Sequence, residues 1–189
     1  MKTYNRFPWS TSWTRDDAAA RLDEFLISDG ASVLDIGCAD AWFAIELATM
    51  GHVTIGYEPD DDLYQMAFEC LTATAGAVDV TLRHDEFIGQ ESAGAMLVLS
   101  VLNRLPVEEG LAWLERILPS AERTVCLELW LDDLPPFAQG NPTIHPYPRA
   151  DLLAVLKAAK FTVPAIEVIL PGGIGTTLLQ CWRWGKKPR

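Results

Sequence analysis

The chain predicts an α/β domain on an open, doubly wound, mostly parallel sheet with helices on both faces. Three observations carry this expectation. Short β-rich runs alternate with helical patterns along most of the chain, and repeated βα units give parallel strands joined by crossover helices. The first strand runs into Gly37, which opens a helix, as ligand loops at strand ends do. The last two strand-like runs are joined by Pro171-Gly-Gly-Ile-Gly175, a connection short enough only for an antiparallel hairpin.

The elements follow in order. Ala18–Ile27 spaces Leu22, Phe25 and Leu26 as a helix does. Ser32–Gly37 is a strand bounded by Asp29-Gly30 and its own terminal glycine, and Ala41–Met50 is a helix stopped by Gly51. Val53–Glu58 is the second strand. Asp60–Thr74 is a helix whose first-turn acids favour the helix dipole. Val78–Arg83 alternates as a third strand, and the almost wholly apolar Ala95–Val101 suits a central strand covered on both faces. Val107–Leu118 is helical and Thr124–Leu131 is a strand. A loop rich in Pro and Gly runs from Asp132 to Pro148, and Arg149–Lys160 is a helix with Leu152, Leu153, Val155 and Leu156 on its apolar face. Phe161–Leu170 and Thr176–Trp184 form the closing hairpin. A phosphate loop at Pro171–Gly175 would need a helix after it, and Thr176-Thr-Leu-Leu-Gln-Cys-Trp182 starts none.

Composition limits the function. A chain of 189 residues fits one domain with a substantial core, and 49% apolar content argues against disorder. No run approaches the ~18 apolar residues of a membrane span, and Met1–Asp17 lacks the apolar stretch of a secretory signal. A cytoplasmic chain is the expectation. The four cysteines (Cys38, Cys70, Cys126, Cys181) form no CxxC pair and read as small core residues, so no metal site is expected. A net charge of −11 argues against an extended nucleic-acid surface, and the basic cluster Arg183–Arg189 reads as a solvated terminus.

Sheets of this class bind ligands outside the carboxyl ends of their strands. The first such end is Asp35-Ile-Gly-Cys-Ala-Asp-Ala41. There Gly37 permits a tight turn, and Asp40 stands where a helix cap is wanted. The second strand ends at Glu58, whose carboxylate can accept both hydroxyls of a ribose. The third ends at His84-Asp85-Glu86-Phe87, where Asp85 can accept from an adenine amine and Phe87 can cover the base. A pyrophosphate cofactor needs several glycines so that the backbone reaches the phosphates. This loop has one glycine, a bulky Trp42 and acidic neighbours in Asp35, Asp40 and Glu58. That set repels a diphosphate and suits a cationic, phosphate-free nucleoside, which favours S-adenosylmethionine over NAD.

Val33-Leu-Asp-Ile-Gly-Cys-Ala-Asp-Ala-Trp-Phe43 resembles motif I of the class I S-adenosylmethionine-dependent methyltransferases, with Gly37, Ala39 and Ala41 where the family commonly has Gly-x-Gly-x-Gly. Ile55-Gly-Tyr-Glu-Pro-Asp60 resembles their second-strand acidic motif. Leu97-Val-Leu-Ser-Val-Leu-Asn-Arg-Leu-Pro106 resembles the fourth-strand segment that borders the transferable methyl. The resemblance spans roughly residues 20–185. It implies a seven-stranded sheet of order 3-2-1-4-5-7-6 with strand 7 antiparallel. It also implies a cofactor site drawn from Asp35, Gly37, Cys38, Ala39, Asp40, Glu58, Asp85, Glu86, Phe87 and Ser100. The fourth strand lacks the Asn-Pro-Pro-Tyr-type motif that methyltransferases of DNA exocyclic amines and of protein glutamine share.

Three segments follow from this reading: an aromatic stretch at 1–17 that could fold across the cofactor, one catalytic domain at 18–185, and a basic tail at 186–189. Methyl transfer needs a general base only if the nucleophile carries a proton. The candidates are His145 as base and Tyr147 as a substrate-orienting hydroxyl, both in the loop after the fifth strand. With no separate substrate domain, the acceptor expected is a small molecule. Two functions stay open: a methyltransferase, and a catalytically silent S-adenosylmethionine-binding module or partner subunit.

Overall fold

Val33 and Leu34 are neighbours on the first strand, belong to different core clusters and are both fully buried, so the sheet is covered on both faces. The computed structural model describes residues 27–74, 77–133, 145–162, 166–169 and 176–185. In chain order the elements begin β1 (Ser32–Ile36), α1 (Trp42–Thr49), β2 (Val53–Tyr57), α2 (Asp61–Ala73), β3 (Val80–Arg83) and β4 (Ala93–Leu99). A 3-10 turn (Leu102–Arg104), α3 (Val107–Ile117), a second 3-10 turn (Leu118–Ser120) and β5 (Ala121–Trp130) come next. Then follow α4 (Arg149–Ala158), β6 (Ile166–Ile169) and β7 (Thr176–Trp182).

The strands form one sheet in the expected order, β3-β2-β1-β4-β5-β7-β6. β1 to β5 pair in parallel, and β7 runs antiparallel to both β5 and β6. One face packs Leu34, Met96, Val98, Val125 and Leu127 against Leu114 and Ile117 of α3 and Leu152 and Leu156 of α4. The other packs Val33, Ala95, Leu97, Cys126 and Leu178 against Leu47 of α1. The even coverage explains why the central strands read as continuous apolar runs rather than alternating ones.

Local chemistry sets the helix starts. The Asp60 side chain accepts from the backbone amides of Asp62 and Leu63, at 3.1 and 3.0 Å, and caps α2. The helix before it starts differently. Its N-cap is Ala41 in the left-handed region, while Asp40 accepts from the Trp42 amide at 3.3 Å from one residue outside. β4 and β5 begin earlier than expected because Ala93 pairs with Ala121 across an irregularity before Ala95, so pairing overrides the weak strand propensity of alanine. Phe161 makes only an isolated antiparallel bridge to Arg183 rather than opening β6. No helix among the described residues is long and apolar enough to cross a membrane. The expected helix at 18–27 except Ile27, the aromatic segment at 1–17, the tail at 186–189 and residues 134–144 of the loop lie outside the described residues.

Candidate active site

The carboxyl ends of β1 to β4 meet around a cavity of about 370 Å³, within the ~300–1,000 Å³ usual for small-molecule sites. Of the ten expected cofactor residues, Gly37, Ala39, Glu58, Asp85, Glu86, Phe87 and Ser100 line it, and Asp35, Cys38 and Asp40 do not.

The loop after β1 is folded over the end of β2. The amides of Gly37 and Cys38 both donate to the Tyr57 carbonyl, at 2.8 and 3.0 Å. Gly37 is required twice over: its φ is +69°, and a Cβ there would lie 2.5 Å from Val101 Cγ2. Ala39 and Ala41 hold φ of 50° and 58°, a conformation costing a non-glycine residue about 1–2 kcal/mol. The left-handed backbone that favours glycine is therefore held by alanine at both positions. The methyls separate in role: Ala41 packs with Ala44, Ile45 and Ala67 between α1 and α2, whereas Ala39 lines the cavity.

Glu58 organises this end. It is buried, and each carboxylate oxygen takes one backbone amide: Oε2 from Ala39 at 2.9 Å and Oε1 from Asp60 at 3.0 Å. A carboxylate has about four acceptor positions, so two stay open for a pair of ligand hydroxyls. Asp35 lies beneath, buried, with its Oδ2 making no hydrogen bond among the described residues. Its carboxyl is pushed up to about 7, chiefly by burial, with the Asp40 and Glu58 charges adding and the Ala44 amide opposing. Burial also pushes the Cys38 thiol up, helped by the carboxylates of Asp35 and Glu58. Its sulfur sits under β2, where a Cβ on Gly56 would come within 2.9 Å of it. That thiol is packing.

At the β3 end Phe87 is buried edge-on to Tyr57, with centroids 4.9 Å apart, and its carbonyl accepts from Trp113 Nε1 at 3.1 Å. Asp85 stands exposed on the rim. His84 stays outside the cavity, paired with Asp61 at 3.0 Å and stacked on Tyr64. At the β4 end Ser100 holds a φ of 58°. The cavity wall also includes Val101, Arg104 and Leu105, from the Leu97–Pro106 segment expected beside the cofactor, and Trp113, which the sequence did not single out. They come from the segment after β4 and from α3, whose apolar spacing reads equally well as core.

The two catalytic candidates stand elsewhere. Tyr147 is fully buried, and its hydroxyl donates toward the carbonyls of Leu102, at 2.9 Å, and Leu105, at 3.2 Å. Burial pushes that hydroxyl up to about 12, with Glu109 adding, and neither Tyr147 nor His145 is among the residues lining the cavity. His145 is held by its backbone amide, which donates to the Asn103 carbonyl at 2.8 Å. Both residues fasten the returning loop to the 3-10 turn after β4.

No protein-family model and no curated protein sequence matches the chain. Solved structures do. Magnesium protoporphyrin IX methyltransferase from Synechocystis, solved with bound S-adenosylmethionine, superposes with a TM-score of 0.71 at 20% identity over 89% of this chain and 76% of that one. The 1,6-didemethyltoxoflavin-N1-methyltransferase of Burkholderia thailandensis, solved with S-adenosylhomocysteine, gives 0.63 at 17% identity over 89% and 77%. The [4+2]-cyclase SpnF gives 0.71 at 12% identity over 94% and 84%. Strand order, reversed β7 and these superpositions agree: the chain has the fold of the class I S-adenosylmethionine-dependent methyltransferases.

Proposed function

We propose that the chain binds S-adenosylmethionine at the carboxyl ends of β1 to β4 and transfers its methyl group to a small-molecule acceptor. The observation that carries this reading is Glu58: a buried carboxylate that lines the cavity, latched to the loop after β1, with each oxygen taking only one backbone amide. Ribose hydroxyls fit its remaining acceptor positions, and Asp85 with Phe87 suits the amine and face of an adenine one strand further out. The donor set fits a cation. Glu58, Asp85 and Glu86 line the cavity, and Arg104 is the one basic residue among the described residues that do. A diphosphate would meet carboxylates and the Ala39 methyl where it needs bare backbone amides. The net charge of −11 fits a cytoplasmic enzyme without an extended nucleic-acid surface.

When bound, the cofactor supplies an activated methyl on a sulfonium, so the chain's task is mainly alignment. Glu58 orients the ribose, Gly37 and Ala39 set the floor, and Phe87 excludes water from the base. A second reading is a silent cofactor-binding module. It is supported by an alanine, Ala39, lining the cavity where the resembled family commonly has glycine, and the fold alone does not fix the reaction, since one neighbour is a cyclase. The test is to incubate the full chain with S-adenosylmethionine and a panel of small nucleophiles and follow S-adenosylhomocysteine. Turnover supports the enzyme, and binding without turnover selects the silent module. Binding of neither compound removes both readings.

A further inference from the structure

Asp35 is a carboxyl in surroundings that do not favour a charge. It lies on β1 between its register partners Gly56 of β2 and Leu97 of β4, and only 3% of it is exposed. Two more carboxylates act on it, Asp40 from the loop after β1 and Glu58 from the end of β2, with the Cys38 thiol beside all three. Glu58 holds a backbone amide on each oxygen, and Asp40 accepts from the Trp42 amide. Asp35 meets the Ala44 amide of α1. Its Oδ2 makes no hydrogen bond among the described residues, and no ion pair among them includes it. Burial and two like charges both favour the neutral carboxyl. At a value of about 7, Asp35 keeps its proton in half or more of the molecules up to neutral pH.

Asp35 does not line the cavity, but Ile36 and Gly37, the next two residues, do. Two residues of chain span at most ~7 Å. The sheet order sets the ligand's charge above them. With the base at the end of β3 and the ribose at Glu58 on β2, the 5′ end of the nucleoside points on to β1, one strand spacing of ~4.8 Å further. The sulfonium is carried on that 5′ carbon. A unit positive charge on the order of 7 Å away, at an effective dielectric of about 20, lowers a carboxyl by about 1.5 pKa units. Resting on the S-adenosylmethionine reading above, we propose that the arriving sulfonium expels the Asp35 proton to water, so that the chain prefers cofactor over product more strongly as pH rises. Methyl transfer leaves a neutral sulfide, and Asp35 then recovers a proton from water. Asp35 touches neither ligand in this account. It reads the one charge that separates S-adenosylmethionine from S-adenosylhomocysteine.

The test is calorimetric titration of the full chain, wild type and Asp35→Asn, with S-adenosylmethionine and with S-adenosylhomocysteine. Heats in phosphate and in imidazole at pH 7 count the protons released. Wild type should release about half a proton more with S-adenosylmethionine than with S-adenosylhomocysteine. The ratio of the two affinities should rise about tenfold between pH 5.5 and pH 7.5. In Asp35→Asn the proton difference should vanish and the ratio should stay within about twofold; the ligands' own amines titrate alike with both proteins, so the variant subtracts them. A second reading needs no variant. By NMR the Asp35 carboxyl carbon of wild type should titrate near neutrality in the free chain and about 1.5 units lower with S-adenosylmethionine bound. Equal proton counts for the two ligands, a difference that survives in Asp35→Asn, or a carboxyl carbon that the cofactor does not move would overturn the proposal. If wild type binds neither ligand, the cofactor reading fails and this one with it. Binding of both with equal proton counts sinks this proposal alone.

Discussion

Replacing Asp35 by Asn should shift stability in favour of the variant as pH rises. The carboxyl is pushed up from 3.8 to about 7 by burial, with Asp40 and Glu58 adding. The folded state thus holds this proton more tightly than the unfolded chain does. The stability this supplies is present in full below the unfolded value and is lost as pH climbs through the folded one. At ~1.36 kcal/mol per pKa unit, ionisation of Asp35 costs the fold about 1 kcal/mol at pH 4.5 and about 4 kcal/mol at pH 8. Asparagine avoids that loss but brings an amide N–H₂ to the site of Oδ2, which makes no hydrogen bond among the described residues. An unsatisfied donor costs about 1–3 kcal/mol at every pH. The net effect of Asp35→Asn is then near zero or destabilising at pH 4.5 and stabilising by about 1–3 kcal/mol at pH 8. The difference between the two pH values, about 3 kcal/mol, does not depend on the amide term. Urea unfolding of wild type and variant at both pH values measures it. Equal effects at the two would mean instead that Asp35 is ionised in the fold throughout.

Three further outcomes follow from the same geometry. Glu58→Ala removes an acceptor from the Ala39 and Asp60 amides as well as from the ligand, and should weaken S-adenosylhomocysteine binding more than tenfold, at least about 1.4 kcal/mol. An unchanged Kd would make Glu58 a strut for the loop and nothing more. Ala39→Gly relieves a left-handed alanine and should raise stability by about 0.5–1 kcal/mol after the entropy of glycine is set against the strain; a loss in thermal unfolding would show that the methyl packs better than the backbone suggests. Tyr147→Phe deletes the hydroxyl that ties the returning loop to Leu102 and Leu105 and should lower stability by about 1 kcal/mol. Cofactor affinity should hold, and a large fall in it would put Tyr147 at the ligand after all.

Periodicity and turn chemistry made the fold legible in the sequence: strand–glycine–helix at residues 32–50 and a hairpin with no room for a crossover. Strand ends were legible too, because a parallel sheet brings them to one rim, and Gly37, Glu58 and Phe87 meet there. Whether an acid faces the cavity or lies beneath it was not. Asp35 precedes Gly37 by two residues yet is buried beneath the loop, a distinction set by the turn at Gly37 and the entry of α1. The place of Tyr147 was not legible for a different reason. Its hydroxyl partners lie 45 and 42 residues back along the chain, a contact no local pattern carries.

On the reading proposed above, the rim of β1 to β4 takes a phosphate-free sulfonium nucleoside. Calorimetric titration of the full chain with S-adenosylhomocysteine, with NADH as the control, tests it most directly. Saturable one-site binding of S-adenosylhomocysteine, weakened by Glu58→Ala and with no heat from NADH, is the predicted result. Binding of NADH instead, or no binding of S-adenosylhomocysteine, would contradict it.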